Sequence, residues 1–169
     1  MPKTLKEKDV LQIAKETIFA KENGHNVIIP HVCNNISDYP VGFSSAVSRT
    51  YPEVKTNYDL LGKHFLSRNP GYVQFIDVDR EPTYNRRLIV ATMIAQDGTN
   101  KKHRSRSINY AYLTKSMIEI KYFISKNFNE ENKVYIYLSK NAFKNTGANW
   151  TFVNCLMQDL WSQINVEVF

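Results

Sequence analysis

Apolar and polar residues alternate along this chain in two distinct rhythms. Val27-Ile28-Ile29 is a short apolar run behind a polar cluster, which predicts a buried strand. The strand continues through His31, Val32, Cys33, Asn34 and Asn35, turns over Ile36 to Pro40, and restarts as a helix over Val41 to Ser48. Apolar positions 54, 58, 61 and 65 predict a helix over Val54 to Leu66. Tyr72 to Val78 alternates and is rich in β-formers, so it reads as a strand; Pro82 to Arg87 reads as a basic turn. Leu88 to Ile94 is almost continuously apolar, as in a strand covered on both faces. Tyr110, Leu113, Met117, Ile120 and Ile124 fall three and four apart, predicting an amphipathic helix over Tyr110 to Asn127. Lys133 to Ser139 reads as a strand and Asn141 to Asn149 as a polar loop. A helix over Trp150 to Gln163 is drawn with Phe152, Val153, Leu156, Leu160 and Trp161 inward, and Ile164 to Phe169 closes the chain as a strand. Val10 to Ala14 reads as a strand, with a short helix over Leu5 to Phe19 as the alternative.

Strands alternating with helices predict an α/β domain, a three-layer α/β/α sandwich. Two strand ends then lead through a polar loop to a helix N-terminus, at Asn34–Gly42 and Ser139–Trp150, and a third ends at Ala95–Gly98. In open α/β sheets ligands bind beyond the carboxyl ends of strands, and helix N-termini favour anions. The expectation is one cleft, at which these loops meet, for an anionic ligand.

Composition narrows the class. A chain of 169 residues fits one domain over 1–169 with a real core. No apolar run approaches the length of a membrane span, and the opening residues MPKTLKEKDV lack a signal-peptide core, so the expected location is cytoplasmic. Cys33 and Cys155 have neither metal-ligand spacing nor disulfide density, and both are expected reduced and buried, with no metal and no cofactor. A net charge of +6 and a pI near 9.2 favour anionic partners. Much of that charge lies in Lys101-Lys102-His103-Arg104-Ser105-Arg106, which is either a solvated loop or a segment that closes over phosphate or nucleic acid.

Four stretches together resemble the macro domain family, in particular its compact members akin to ADP-ribose 1″-phosphate phosphatases. IIPHVCNNISDYPVGFSSAV is similar to that family's first ligand loop, a strand ending in His-x-x-Asn followed by a glycine turn into a helix. Tyr51-Pro52-Glu53 follows it; VATMIAQDG resembles the central strand with its Gln-x-Gly ending; KNAFKNTGANW lies where the family has its phosphate loop. The resemblance implies a mixed central sheet and an ADP-ribose-type ligand. It places Asn34 near the distal ribose, with Asn35 beside it, and makes His31 an acid/base or phosphate ligand, with Asp38 the weaker catalytic choice. Gly42 and Phe43 would line the first loop, Gln96 would end the central strand at the ligand, and Glu16 would take the place of an aspartate on the adenine amine. Gly147, with Lys140, Lys144 and Asn149 near it, would cradle the diphosphate. Compact proteins of this type also occur in bacteriophages, which would suit a role in NAD metabolism or defence evasion.

The chain departs from the family pattern where glycines are usual: Ala142, Lys144 and Ala148 occupy such positions, Pro40 and Val41 stand in the first loop, and Asn149 replaces an acid before Trp150. Plainer readings also stand for several residues. His31 can be a satisfied structural histidine, Asn34 and Asn35 turn-bonding residues, Asp38 a turn residue, Trp150 helix-entry packing, Cys33 a small buried apolar group, and Tyr135 and Tyr137 packing. Three functions are consistent with these residues: hydrolysis of an ADP-ribose derivative such as the 1″-phosphate, non-catalytic binding of an NAD-derived nucleotide, and, least favoured, nucleic-acid binding without a recognisable motif.

Overall fold

β-Branched and aliphatic residues dominate Asn26–Asn34, and every one of its nine positions is buried, which makes this strand the axis of the molecule. The computed structural model describes residues 9–99, 106–130 and 133–169. The order is α1 (Val10–Phe19), β1 (Asn26–Asn34), α2 (Phe43–Thr50), α3 (Pro52–Arg68), β2 (Val73–Glu81), β3 (Arg86–Gln96), α4 (Tyr110–Asn127), β4 (Val134–Leu138), a 3-10 turn (Lys140–Phe143), α5 (Trp150–Leu160) and β5 (Asn165–Val168). Lys101 to Ser105 of the basic run, and Leu5, lie outside the described residues.

The sheet order is β2-β3-β1-β4-β5. β1 pairs in parallel with β3 and β4, β4 in parallel with β5, and only the edge strand β2 runs antiparallel. Alternation within β1 divides the core. Ile28 and Val32 face a layer containing Leu113, Met117 and Ile120 of α4 and Val153 and Met157 of α5. Val27 and Ile29 face Val10, Leu11, Ala14 and Ile18 of α1 and Val47 of α2. A smaller cluster of Cys33, Tyr58, Leu66 and Ile94 lies under α3. The expected mixed-sheet α/β/α sandwich is the observed one.

Four expectations are corrected. Val10–Ala14 is not a strand: Asp9 accepts from Leu11 N at 3.0 Å to cap α1, and burial at Val10, Leu11, Ala14 and Ile18 follows a helical stripe. Five residues were too few to separate alternation from that stripe. In α3 the inward face shifts from position 65 to Leu66, because the backbone leaves helical geometry at Gly62 (φ 72°, ψ 156°) and restarts. In α5 the inward stripe is Val153, Met157 and Trp161, whereas Phe152 is 45% exposed and lies edge-on to Tyr110 at 4.5 Å. Cys33 is buried as expected, but Cys155 is exposed.

α1 ends against Arg86, whose Nη1 donates to Ile18 O at 3.2 Å and to Ala20 O. This guanidinium fills the space at Gly24, where an added Cβ would lie 1.9 Å from Nη1. Gly24→Ala therefore has to displace the group that caps α1. The expected cost is about 1–3 kcal/mol, read as a lower denaturant midpoint with an unchanged m-value.

Candidate functional site: a cleft at the strand ends

The parallel pairing brings the carboxyl ends of β1, β3 and β4 to one edge of the sheet. From β1 the chain passes to the β3 side, then returns through α4 to β4 on the other side. Connections that diverge about a strand leave a crevice at its carboxyl end. A cleft of about 280 Å³ lies there. Its walls are Asn34 and Asp38 to Val41, the start of α2 at Phe43 and Ser44, Gln96 and Thr99 beyond β3, and Asn141, Ala142, Lys144, Asn145 and Thr146 beyond β4.

α2, α4 and α5 all begin on this side, and none has an acidic residue in its first turn. α4 and α5 are capped by the neutral side chains of Asn109 and Asn149, while no side chain caps α2. With Lys144 in the wall, the helix ends make this edge attractive to anions. Asp38 is the one carboxylate among the lining residues.

The two cleft loops are set by backbone geometry. Gly42 is the N-cap of α2 at φ 78°, ψ −126°, a conformation essentially restricted to glycine. Asn145 Nδ2 would lie 3.6 Å from a Cβ added there, so the loops before α2 and before α5 approach each other at this point. Gly42→Ala is expected to cost about 1–3 kcal/mol in backbone strain and to lower affinity for any cleft ligand, measured by thermal melts with and without ligand. In the second loop Thr146 N donates to Phe143 O at 3.2 Å, Ala148 N to Thr146 Oγ1 at 3.2 Å, and Asn149 N to Tyr110 OH at 2.8 Å. Much of its donor capacity is thus used to hold the loop itself.

His31 is completely buried beneath the start of α2. Its Nδ1 is 3.0 Å from Ser44 Oγ and its Nε2 2.7 Å from Thr92 Oγ1. Ser44 Oγ also donates to Val32 O at 3.3 Å, so the bond to the ring takes its proton from Nδ1 and Nε2 accepts from Thr92. Burial lowers the His31 pKa to about 3, so the ring is neutral at ordinary pH. It ties α2 to the sheet and has no access to the cleft. An acid/base at this position would need an access to the cleft that this arrangement does not give.

Asn34 lines the cleft, yet its carboxamide is occupied. Oδ1 accepts from Ile36 N and Asp38 N at 3.2 Å each and from Tyr58 OH at 3.0 Å, while Nδ2 donates to Asp38 O. Asn35 bridges the ends of β1 and β3: Nδ2 donates to Asp97 Oδ1 at 3.1 Å and Oδ1 accepts from Gly98 N at 2.9 Å. Asn34 thus braces a turn of the cleft wall, and Asn35, outside the lining, ties the turn after β3 to the end of β1.

Of the remaining expected residues, Asp38, Phe43, Gln96 and Lys144 line the cleft. Gly147, at φ 74°, and Asn149, the N-cap of α5, sit in the loop behind that wall. Lys140 lies over the Trp150 ring at 5.5 Å. Glu16 is on the exposed side of α1, bonded to Gln12 at 2.9 Å, and is not in the lining. Sequence reasoning missed Tyr39, Val41, Ser44, Thr99, Asn141 and Thr146. Ser44 was legible in principle, because it directly follows the Gly42-Phe43 entry to a helix. Thr99 was not, because its place depends on the path after β3.

No cluster of three or more His, Cys, Asp or Glu side chains suited to a metal occurs among the described residues. No helix of those residues is long and apolar enough to cross a membrane.

No protein-family model matches this chain, and no curated protein matches it in sequence. Solved structures do match. A protein of unknown function from Bacteroides thetaiotaomicron superposes with a TM-score of 0.69 at 24% identity, over 86% of this chain and 87% of that one. A macrodomain protein from Streptomyces coelicolor matches with a TM-score of 0.63 at 26% identity, over 85% and 87%. The DarTG protein of Thermosipho africanus, in complex with ADP-ribose, matches with a TM-score of 0.57 at 14% identity, over 83% of this chain and 37% of that one. These likenesses, with the mixed sheet and the cleft at its strand ends, give this chain the macrodomain fold.

Proposed function

We propose that this protein binds ADP-ribose, or a derivative of it, in the cleft at the carboxyl ends of β1, β3 and β4. The observation that carries the reading is the cleft's electrostatic design. Helix N-termini without acidic first turns, together with Lys144, favour a diphosphate, while Val32, Phe43 and Ala142 give apolar wall to the uncharged parts of a nucleotide. The ADP-ribose complex of the Thermosipho africanus DarTG protein, which shares the fold, supports the choice of ligand.

Binding without turnover is favoured over hydrolysis of the 1″-phosphate. A phosphatase needs a proton donor for the leaving group, and His31 is buried, neutral and committed to two hydroxyls. Among the described lining residues, a hydrolytic reading has Asp38 as its candidate acid, the single carboxylate there.

Calorimetric titration with ADP-ribose, run beside phosphate release from ADP-ribose 1″-phosphate, tests both readings. The expected result is saturable binding without phosphate release. Release that disappears in Asp38→Asn would establish the enzyme instead. Absence of heat at millimolar ligand would remove ADP-ribose as the ligand.

A further inference from the structure

His25 stands just before β1, at the end of the strand away from the cleft, and neither it nor Thr17, Tyr135 or Tyr137 lines the cleft. Its ring stacks on Tyr135 at 3.9 Å. Nδ1 is 3.1 Å from Asn23 O, and Nε2 is 3.0 Å from Tyr137 OH. Tyr137 OH is in turn 3.2 Å from Thr17 Oγ1 of α1, and Thr17 Oγ1 donates to Ile13 O at 2.8 Å. A carbonyl can only accept, so the bond to Asn23 puts a proton on Nδ1, and in the neutral ring Nε2 is the acceptor. Tyr137 has one proton to give. While His25 is neutral that proton goes to Nε2, and Thr17, having spent its own on Ile13 O, makes no bond with Tyr137. In the charged ring both nitrogens donate. Nε2 then bonds to the Tyr137 oxygen, the Tyr137 proton is free to turn to Thr17, and every contact in the chain is made.

We propose that His25, Tyr137 and Thr17 form a proton-operated relay, in which protonation of the ring reverses the Tyr137 hydroxyl and ties α1 to β4. Tyr137 is only 3% exposed, so its hydroxyl depends on these two partners, and hydrogen bonds in such a chain polarise one another. The groups facing the ring come from every element around it. Burial disfavours its charge most; Asn23 O and Glu167 of β5 favour the charge, and Arg86 of β3 and Lys133 before β4 oppose it. From β4 the facing groups are the two tyrosines, and from α1 it is Thr17 acting through Tyr137. Burial leaves the ring a weaker base than usual, and the completed chain offsets part of that loss. The relay stands apart from the cleft and does not depend on what binds there.

The test is an NMR titration of the histidine rings in the wild-type chain, Thr17→Val and Thr17→Ser, with His25 identified by its loss in His25→Gln. Thr17→Val keeps the side-chain shape and removes the oxygen to which the reversed Tyr137 hydroxyl would donate. The neutral ring does not use that contact, so the charged form alone is penalised. Proton binding to His25 is expected to weaken by about three- to tenfold, although Thr17 bonds to Tyr137 and not to the ring. Thr17→Ser, which restores the hydroxyl, is expected to return it to within about twofold of wild type. In the neutral wild-type ring the nitrogen shifts are expected to place the proton on Nδ1. A neutral ring protonated on Nε2 would overturn the relay, whatever the variants do. So would unchanged or stronger proton binding in Thr17→Val, or equal weakening in Thr17→Val and Thr17→Ser, which would trace the effect to packing.

Discussion

Between about pH 6.5 and pH 3, His31 alone is expected to lower the stability of this protein by about 1.4 kcal/mol per pH unit. The sign follows from which state holds the proton. In the fold, burial lowers the ring's pKa from 6.5 to about 3, whereas in the unfolded chain it titrates normally. Over that interval the unfolded state binds the extra proton, so acid favours unfolding; above pH 6.5 the term is flat. Burial also lowers the pKa of His25, which is stacked on Tyr135 at 3.9 Å, and acts in the same direction. Urea midpoints taken from pH 7.5 to pH 4.5 measure the slope. His31→Gln, which retains polar bonding but cannot titrate, should be less stable at neutral pH and distinctly flatter. Identical slopes in the two proteins would show that His31 is accessible and able to ionise in the fold, and would reopen a role for it in the cleft.

Asn34→Ala is expected to produce the second large effect, a loss of about 2–4 kcal/mol together with a loss of cleft binding greater than about tenfold. The substitution removes the acceptor shared by Ile36 N, Asp38 N and Tyr58 OH, and the donor to Asp38 O. The turn those bonds hold continues directly into Asp38, Tyr39, Pro40 and Val41 of the cleft wall. Tyr58→Phe provides the graded comparison. Its hydroxyl donates to Asn34 O at 2.8 Å and to Oδ1, so its removal should cost about 1 kcal/mol and weaken binding only slightly. Denaturant unfolding and ligand titration on the two variants separate them. If Tyr58→Phe weakens binding as much as Asn34→Ala, the wall is not organised by the carboxamide.

Elements with long, regular patterns were legible from the sequence. α4 runs over the residues its apolar spacing predicts, and Leu88 to Ile94 lies inside a strand whose central positions are all buried. Errors fell where local pattern was short or interrupted. α1 was ambiguous over five residues, and the α3 stripe slipped where Gly62 broke the helix. The position of the cleft was legible too, since strand-loop-helix order brings the carboxyl ends of the parallel strands together, where open α/β sheets leave a crevice.

The roles of the site residues were much less legible. His31, Asn34 and Asn35 are polar residues at a strand end, which is equally what a ligand site and a braced turn require. Their partners decide between the two, and those partners are distant in sequence: Thr92 for His31, Tyr58 for Asn34, Asp97 for Asn35. Gln96 shows the reverse case. Its type and position at a strand end suggested the cleft, and it lines the cleft with its carboxamide 2.7 Å from Ser107 Oγ.

The most direct measurement is a titration of the isotope-labelled protein with ADP-ribose, followed by backbone amide NMR shifts. Binding in the cleft predicts saturable shifts concentrated in Asn34 to Ser44, Gln96 to Thr99 and Asn141 to Gly147, with α1 around Glu16 little changed. Shifts centred on another surface, or none at millimolar ADP-ribose, would contradict the proposed site.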